Sequence, residues 1–247
     1  MKRAIVSDIH GNLEALTAVI ADLGQQGVEQ VVCLGDSVGY GPNPGECLDW
    51  ALAQSVCLLG NAEESVLFEP SVGGEAGNEV MAWTRAALFS GDSAAQRRET
   101  LERLPRVAYV AGALCVHASP RNPLHEYLLA REVESPERFD SLFRLTPGLA
   151  FVGHTHLPGF FTETREFYSS AQRPRFDRQG ARLIVNVGSV GQSRDGDRRA
   201  CYVVWEENQL EFRRVAYDIE STVTKIRQTP ALAQAKATRW LVGESGT

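Results

Sequence analysis

No stretch of the 247 residues approaches a membrane span, because every apolar run is far shorter than the ~20 residues a helix needs to cross a bilayer. The first residues, MKRAIVSDIHG, run straight into a strand-like segment with no apolar leader region or cleavage site. The expected compartment is therefore the cytoplasm, with no membrane partner. Positive charge is not in surplus either: 25 Lys and Arg face 31 Asp and Glu, a formal net charge of −6. That balance argues against a surface that binds nucleic acid by displacing counterions with basic side chains. It leaves a phosphorylated substrate open, since bound cations neutralise phosphate locally. Cysteines are few and odd in number (Cys33, Cys47, Cys57, Cys115 and Cys201), with no C-x-x-C pair. Four of them, Cys33, Cys57, Cys115 and Cys201, lie in or beside apolar runs and read as small buried side chains with free thiols, which suits a reducing cytosol. Repeats, low-complexity tracts and linkers are also lacking, which favours one main domain. The 43% apolar and 23% charged residues are ordinary for a globular chain, and this length can bury a sizeable core without staples.

What the chain does have is a recurring pattern: a short apolar run that ends abruptly in a polar residue. Ala4-Ile5-Val6 leads to Ser7-Asp8, Val31-Val32-Cys33-Leu34 to Gly35-Asp36, and Val56-Cys57-Leu58-Leu59 to Gly60-Asn61. Ala113-Leu114-Cys115-Val116 leads to His117, Leu149-Ala150-Phe151-Val152 to Gly153-His154, and Leu183-Ile184-Val185 to Asn186. Unalternating runs of this length read as strands buried on both faces, and ligands bind beyond the carboxyl ends of such strands. If the six are neighbours, their six polar ends converge on one rim.

Helical segments lie between the runs. Asn12 can cap a helix with Leu13, Leu16, Val19, Ile20 and Leu23 on one face, ending near Gly24 or Gly27. Residues 44–54 read as a second helix, residues 62–104 as mostly helical with breaks at Gly73-Gly74 and Ser90-Gly91, and residues 123–146 as irregular helix. Ala200–Trp205 and Leu210–Ala216 flank a turn sequence and read as a hairpin. The domain is expected to span residues 1–222, followed by a helical tail over 223–247 that packs loosely or frays.

Two signatures carry chemistry. Asp8 and His10 form D-x-H, and His154 and His156 form H-x-H. In an extended chain, residues two apart point to one side and can reach one ion. Carboxylate oxygen with imidazole nitrogen suits Mn, Fe, Zn, Co or Ni, whereas Ca prefers oxygen alone. Taken singly, each piece has an ordinary reading, such as a turn or a hydrogen-bonded core histidine. Taken together they do not, because four of the five histidines in the chain fall at strand ends in these signatures and only His125 lies outside.

In order, Asp8-Ile9-His10, Gly35-Asp36, Gly60-Asn61, His117 and Gly153-His154-Thr155-His156 resemble the calcineurin-like metallophosphoesterase family over about residues 4–205. The segments Gly35–Pro42, His117–Arg121 and Gly188–Gly196 look like those of a bacterial branch that resembles phosphodiesterases and dinucleoside polyphosphate hydrolases. The resemblance implies an α/β fold of two packed, largely mixed β-sheets flanked by helices. It also implies two divalent metal ions, with Mn the ion expected to be active in vitro. Asp8, His10, Asp36 and His156 would hold the first, and Asp36, Asn61, His117 and His154 the second, with Asp36 shared. Two cations about 3.5–4 Å apart need a shared anion to offset their repulsion, and a water between them becomes a nucleophile near neutral pH. Arg121 and Arg194 are the candidate cations for phosphoryl oxygens, and Tyr40 a candidate to line the pocket and stack on a base. The implied substrate is a phosphorylated small molecule, a nucleotide-type phosphodiester or phosphoanhydride.

The chain departs from the family at one position. Many members carry His after Gly-Asn, where it is taken to protonate the leaving group; here the run is Gly60-Asn61-Ala62-Glu63, and Ala62 cannot transfer a proton. No residue takes that role from the sequence, and His125, after Pro123, gives no reason to be assigned it. A non-catalytic interaction module on the same fold would be signalled by lost metal ligands, but every position is filled. A protein Ser/Thr phosphatase is disfavoured by Ala62, because an alkoxide leaves badly without protonation.

Overall fold

The computed structural model describes residues 1–68 and 74–234. Its strands in chain order are β1 (Arg3–Val6), β2 (Gln30–Cys33), β3 (Val56–Cys57), β4 (Val107–Val110), β5 (Ala113–Val116) and β6 (Leu149–Val152). They continue with β7 (Gly159–Thr162), β8 (Glu166–Ser169), β9 (Arg175–Asp177), β10 (Leu183–Asn186), β11 (Ala200–Glu206) and β12 (Gln209–Val215). They form two six-stranded sheets, ordered β3-β2-β1-β11-β12-β9 and β4-β5-β6-β10-β7-β8. Both are mixed. In the first, β1, β2 and β3 run parallel; in the second, β5, β6 and β10 do. The six apolar runs are therefore not six neighbours but two sets of three, one parallel core in each sheet.

Burial on both faces follows from the layering. Ile5 and Val32 of the first sheet, with Leu58 just past β3, meet Cys115, Phe151 and Val185 of the second in one core. The outer face of the first sheet packs Ala4, Val6 and Cys33 against Leu16, Val19 and Leu23 of α1 (Leu13–Gln26) and against Cys47 and Ala51 of α2 (Pro44–Leu52). A third helix, α3 (Asn61–Leu67), begins at the end of the first parallel core, and α4 (Gly74–Leu88) and α5 (Ala94–Glu102) follow it. The break expected at Gly73-Gly74 falls partly outside the described residues; the one at Ser90-Gly91 separates α4 from α5. The outer face of the second sheet packs Leu114, Val116 and Ile184 against Phe139, Leu142 and Phe143 of α6 (Pro136–Arg144). The irregular helix expected over 123–146 resolves into turns, a 3₁₀ segment over Ala130–Glu134 and α6.

α1 forms where its cap predicts. Asn12 Oδ1 accepts from the Ala15 N–H at 3.1 Å, and the helix ends at Gly27 with φ 66°. Its buried face differs by one residue from the expected one. Ile20 is 40% exposed, while Asp22 turns inward to accept from Tyr202 Oη at 2.7 Å and from Arg213. The expected boundary at 222/223 falls inside α7 (Ile219–Gln228). Up to residue 234 that region packs rather than frays. Val223, Ile226 and Leu232 are buried, the last on α8 (Pro230–Ala233), and Thr222 Oγ1 donates to Asn12 and Glu14 of the α1 N-terminus. The tail from 235 onward lies outside the described residues. No helix among the described residues is long and apolar enough to cross a membrane.

Candidate metal centre

The two parallel cores end at the same place. The first delivers Asp8, Asp36 and Asn61 just past β1, β2 and β3; the second delivers His117 and His154 just past β5 and β6. Two groups of buried ligand atoms result, Asp8–His10–His156 and Asp36–His117–His154, each with its atoms within 4.8 Å of one another. The sheets are stitched together here: the His154 N–H donates to Asp8 Oδ2 at 3.0 Å, and Ser189 Oγ and the Gly191 N–H donate to the Asp8 carbonyl at 2.8 and 2.9 Å.

The extended conformation expected for D-x-H and H-x-H is not what brings these pairs together. Asp8, His10, Asp36, His154 and His156 all lie in the left-handed region, with φ between 49° and 64°. Such conformations cost non-glycine residues on the order of 1–3 kcal/mol each and persist only where surroundings impose them, typically at functional sites. Two glycines show how closely the surroundings press. A Cβ at Gly60 would overlap Asp36 Oδ1 and the Asp36 amide, and one at Gly153 would overlap Ser7 Oγ and Asp8 Oδ2.

Ring orientation shows what these groups are prepared for. His10 Nδ1 faces the Val38 carbonyl at 3.0 Å and His156 Nδ1 the Gln192 carbonyl at 2.6 Å. A carbonyl only accepts, so each Nδ1 carries the proton and a neutral ring has its lone pair on Nε2. Yet those two Nε2 atoms face each other at 3.1 Å, and His156 Nε2 lies 3.1 Å from Asp8 Oδ1. With both rings neutral, three electron-rich atoms converge there. That is repulsive without a cation and is the spacing of adjacent ligands on an ion about 2.1 Å from each. The second group brings its ligand atoms equally close, without carbonyls to orient the rings. His117 Nε2 lies 3.2 Å from His154 Nδ1, 3.0 Å from Asn61 Oδ1 and 3.4 Å from Asp36 Oδ2. Asp36 Oδ2 stands between the groups, 3.7 Å from His10 Nε2, while Oδ1 accepts from the Ala62 N–H at 2.7 Å. Asp8 Oδ1, though buried, has no hydrogen-bond partner among the described residues. The residues thus fit two divalent cations.

Burial pushes the Asp8 carboxyl up, but His156, with His117 and His10, holds it well below the usual carboxylate range. Burial likewise opposes ionisation of Asp36, but His117 brings it down to about 2. Burial lowers His10 and His154 to about 4, so both rings are neutral donors at pH 7. For His117, burial is outweighed by the Asp36 carboxylate, which raises it to about 9; a bound cation would have to displace that proton.

Supporting groups were less visible in the sequence. Glu63 is buried and accepts from the N–H groups of Asp36, Ser37 and Gly60 at 2.8, 2.7 and 3.0 Å and from Ser37 Oγ at 2.6 Å. It ties α3 to the loop that carries Asp36. Burial and the nearby Asp36 carboxylate raise its pKa. Glu63→Gln places an NH₂ donor against backbone donors, which costs about 1–3 kcal/mol. For a chain of this size Tm is expected to fall by roughly 3–10 °C; an unchanged melting curve would show that the Glu63 contacts carry no stability. Tyr127 was missed entirely. Its ring packs on His154 with centroids 4.2 Å apart, and nothing in its flanking sequence marks it.

Of the three proposed substrate contacts, two lie at this rim. The Tyr40 ring meets His10 edge-on at 4.7 Å. The Arg194 N–H lies 3.4 Å from the His156 carbonyl, one guanidinium nitrogen donates to Gln192 Oε1 at 2.8 Å, and Nε is buried without a partner among the described residues. Arg121 is engaged elsewhere, with Glu126 at 2.5 Å, Glu132 at 3.5 Å and Ser141 Oγ at 2.8 Å.

A buried pair of carboxylate–imidazole groups at the meeting ends of two mixed sheets makes a candidate two-metal site. The chain matches the calcineurin-like phosphoesterase superfamily domain over residues 1–209 and belongs to that family. It is 34% identical to the uncharacterized protein MJ0912 of Methanocaldococcus jannaschii over 234 residues, 90% of each chain. It is similar to the crystal structure of a metallophosphoesterase from Sphaerobacter thermophilus, at 32% identity and TM-score 0.81, over 96% of this chain and 98% of that one. The hypothetical protein PH1004 of Pyrococcus horikoshii shares the fold at 19% identity and TM-score 0.70, over 92% of each chain.

Proposed function

We propose that the protein hydrolyses phosphodiesters or phosphoanhydrides of the nucleotide type at a dinuclear metal centre. The observation that carries this reading is the convergence of imidazole nitrogens and carboxylate oxygens in two adjoining groups, with Asp36 Oδ2 between them. Asp8, His10 and His156 would hold one ion, Asn61, His117 and His154 the other, and Asp36 Oδ2 both. Ions of this kind neutralise phosphoryl oxygens and bring water's pKa to near neutrality.

The remaining residues orient the reactants. The carbonyls of Val38 and Gln192 fix the His10 and His156 rings, and the Ala62 N–H fixes the Asp36 carboxylate. Arg194, whose Nε has no partner among the described residues, is the candidate cation for a phosphoryl oxygen, while Arg121 is already paired. Tyr40 and Tyr127 flank the two groups and offer faces to the organic part of the ester.

Protein prepared with excess Mn is expected to bind two ions per chain. Metal analysis counts them and anomalous scattering locates them; no uptake, or ligation by other residues, would end the assignment. A screen of bis-nucleoside polyphosphates, cyclic nucleotides and aryl mono- and diesters with Mn tests the substrate class. Activity confined to alkyl monoesters would contradict it.

A further inference from the structure

A cavity of about 210 Å³ is lined by none of the residues that would hold the metals and has no part in the chemistry described above. Its walls are Leu128, Leu129, Ala130, Leu157, Pro158 and Phe167. Three of its segments continue directly from groups at the centre. Leu128 follows Tyr127, whose ring lies on His154. Leu157 follows His156. Asp195, also in the lining, follows Arg194, whose N–H reaches the His156 carbonyl. Chain connectivity thus ties the cavity wall to the centre on the side of His154 and His156. Ala130 and Asp195 are exposed, so it is open to solvent rather than a sealed packing void.

Its chemistry excludes a second phosphate. No Lys or Arg lines it, and the one charged group, Asp195, is negative. That carboxylate is already satisfied by Ser193 Oγ at 2.7 Å, by the Asp197 N–H at 3.2 Å and by Arg214. What remains is an apolar hollow with one hydroxyl, Ser169, and one aromatic wall, Phe167. Apolar walls with few polar groups are the pattern of small-molecule sites, and an unfilled hollow forfeits the contacts of its lining.

We propose that this cavity receives a flat, uncharged aromatic ring of the substrate, a nucleobase or an aryl group, while its phosphoryl group sits at the two triads. The inference rests on the dinuclear reading above and makes it more specific: the preferred esters carry a ring within reach of phosphorus, and simple alkyl phosphates lack the group that the cavity recognises.

The test is isothermal titration calorimetry of the full chain loaded with Mn, using phenylphosphonate and methylphosphonate. Both offer the same anion to the metals and only one offers a ring. Wild type is expected to bind phenylphosphonate at least about tenfold more tightly, the worth of burying a ring. Ala130→Trp fills the hollow from an exposed position outside the metal centre. It is expected to bring the ratio to within about twofold and leave methylphosphonate binding unchanged; Ala171→Trp, also in the lining, is the second filling variant should the first not fold. Adenosine 5′-monophosphate against ribose 5-phosphate, run the same way, separates a base from a simple aryl group. Mn-dependent binding of both phosphonates with equal affinity, or a ratio that neither filling variant changes, overturns the cavity assignment alone. Failure of either phosphonate to bind in an Mn-dependent way overturns the dinuclear reading, and the cavity assignment falls with it.

Discussion

Asp36→Asn is expected to lower turnover by at least about 100-fold without altering the fold. The two oxygens of Asp36 have separate tasks. Oδ1 accepts from the Ala62 N–H at 2.7 Å, and an asparagine amide oxygen can keep that bond. Oδ2 lies 3.7 Å from His10 Nε2 and 3.4 Å from His117 Nε2, facing both triads. With the NH₂ of asparagine there, a donor points at both ion positions and the shared negative charge is gone. Residues that merely support a metal ligand cost about 10–100-fold when removed, so the loss of a ligand common to both ions should exceed the upper end of that range. Circular dichroism should be unchanged, and metal content should drop below two ions per chain. Turnover within a few-fold of wild type, with both ions retained, would take Asp36 out of this role.

Five of the seven candidate ligands were legible because each sits one or two positions beyond an apolar run, where chains in a parallel core deliver polar groups, and His10 and His156 through their D-x-H and H-x-H pairing. Asp8, Asp36, Asn61, His117 and His154 all follow this rule. The way the pairs converge was not legible. D-x-H and H-x-H suggested extended backbone, whereas Asp8, His10, His154 and His156 adopt left-handed φ, a conformation imposed by contacts between segments far apart in sequence. One of those segments, Gly188–Gln192, stood out as a motif, yet its task of wrapping the carbonyls of Ser7, Asp8 and the His156 ring appears only in three dimensions. Arg121 has neighbours that its local sequence did not announce. Its place after His117 suggested a phosphate contact, but Glu126 and Glu132, close by in the chain, take its guanidinium. In the fold, period-3.6 reasoning put Ile20 on the buried face of α1, and the polar trio Asp22, Tyr202 and Arg213 prevailed, since no local pattern encodes a partner ~180 residues away.

Activity is expected to depend steeply on leaving-group quality. Ala62 occupies the position where many family members place an acid, and among the described residues no free imidazole takes over. His125 pairs with Glu64 at 2.9 Å, and Glu63 is bound to three backbone N–H groups. General acid catalysis is worth about 10²–10⁴-fold, and its absence is felt most where the departing oxygen is most basic. A nucleotide displaced from an anhydride leaves as a phosphate anion, whose second ionisation lies near pKa ~6. An alkyl ester releases an alkoxide about as basic as hydroxide, the conjugate base of water at pKa ~15.7. Anhydrides and activated aryl diesters should therefore react well and alkyl monoesters poorly. A series of aryl phosphodiesters with graded leaving-group pKa measures this, and log rate should fall steeply as pKa rises. The companion variant is Ala62→His, which should flatten the slope if its ring reaches the leaving oxygen. Its side chain must make room, because Ala62 is 1% exposed and packs with Val38, Leu59, Val66 and Met81. Enlarging such a site costs about 1–3 kcal/mol, and the unbranched Met81 is the neighbour best able to yield. Melting curves therefore accompany the kinetics, so that a slower variant is not mistaken for a mechanistic effect. A flat wild-type slope, with chemistry shown to be rate-limiting, would mean that another group protonates the leaving oxygen and that the alanine leaves no gap in the mechanism.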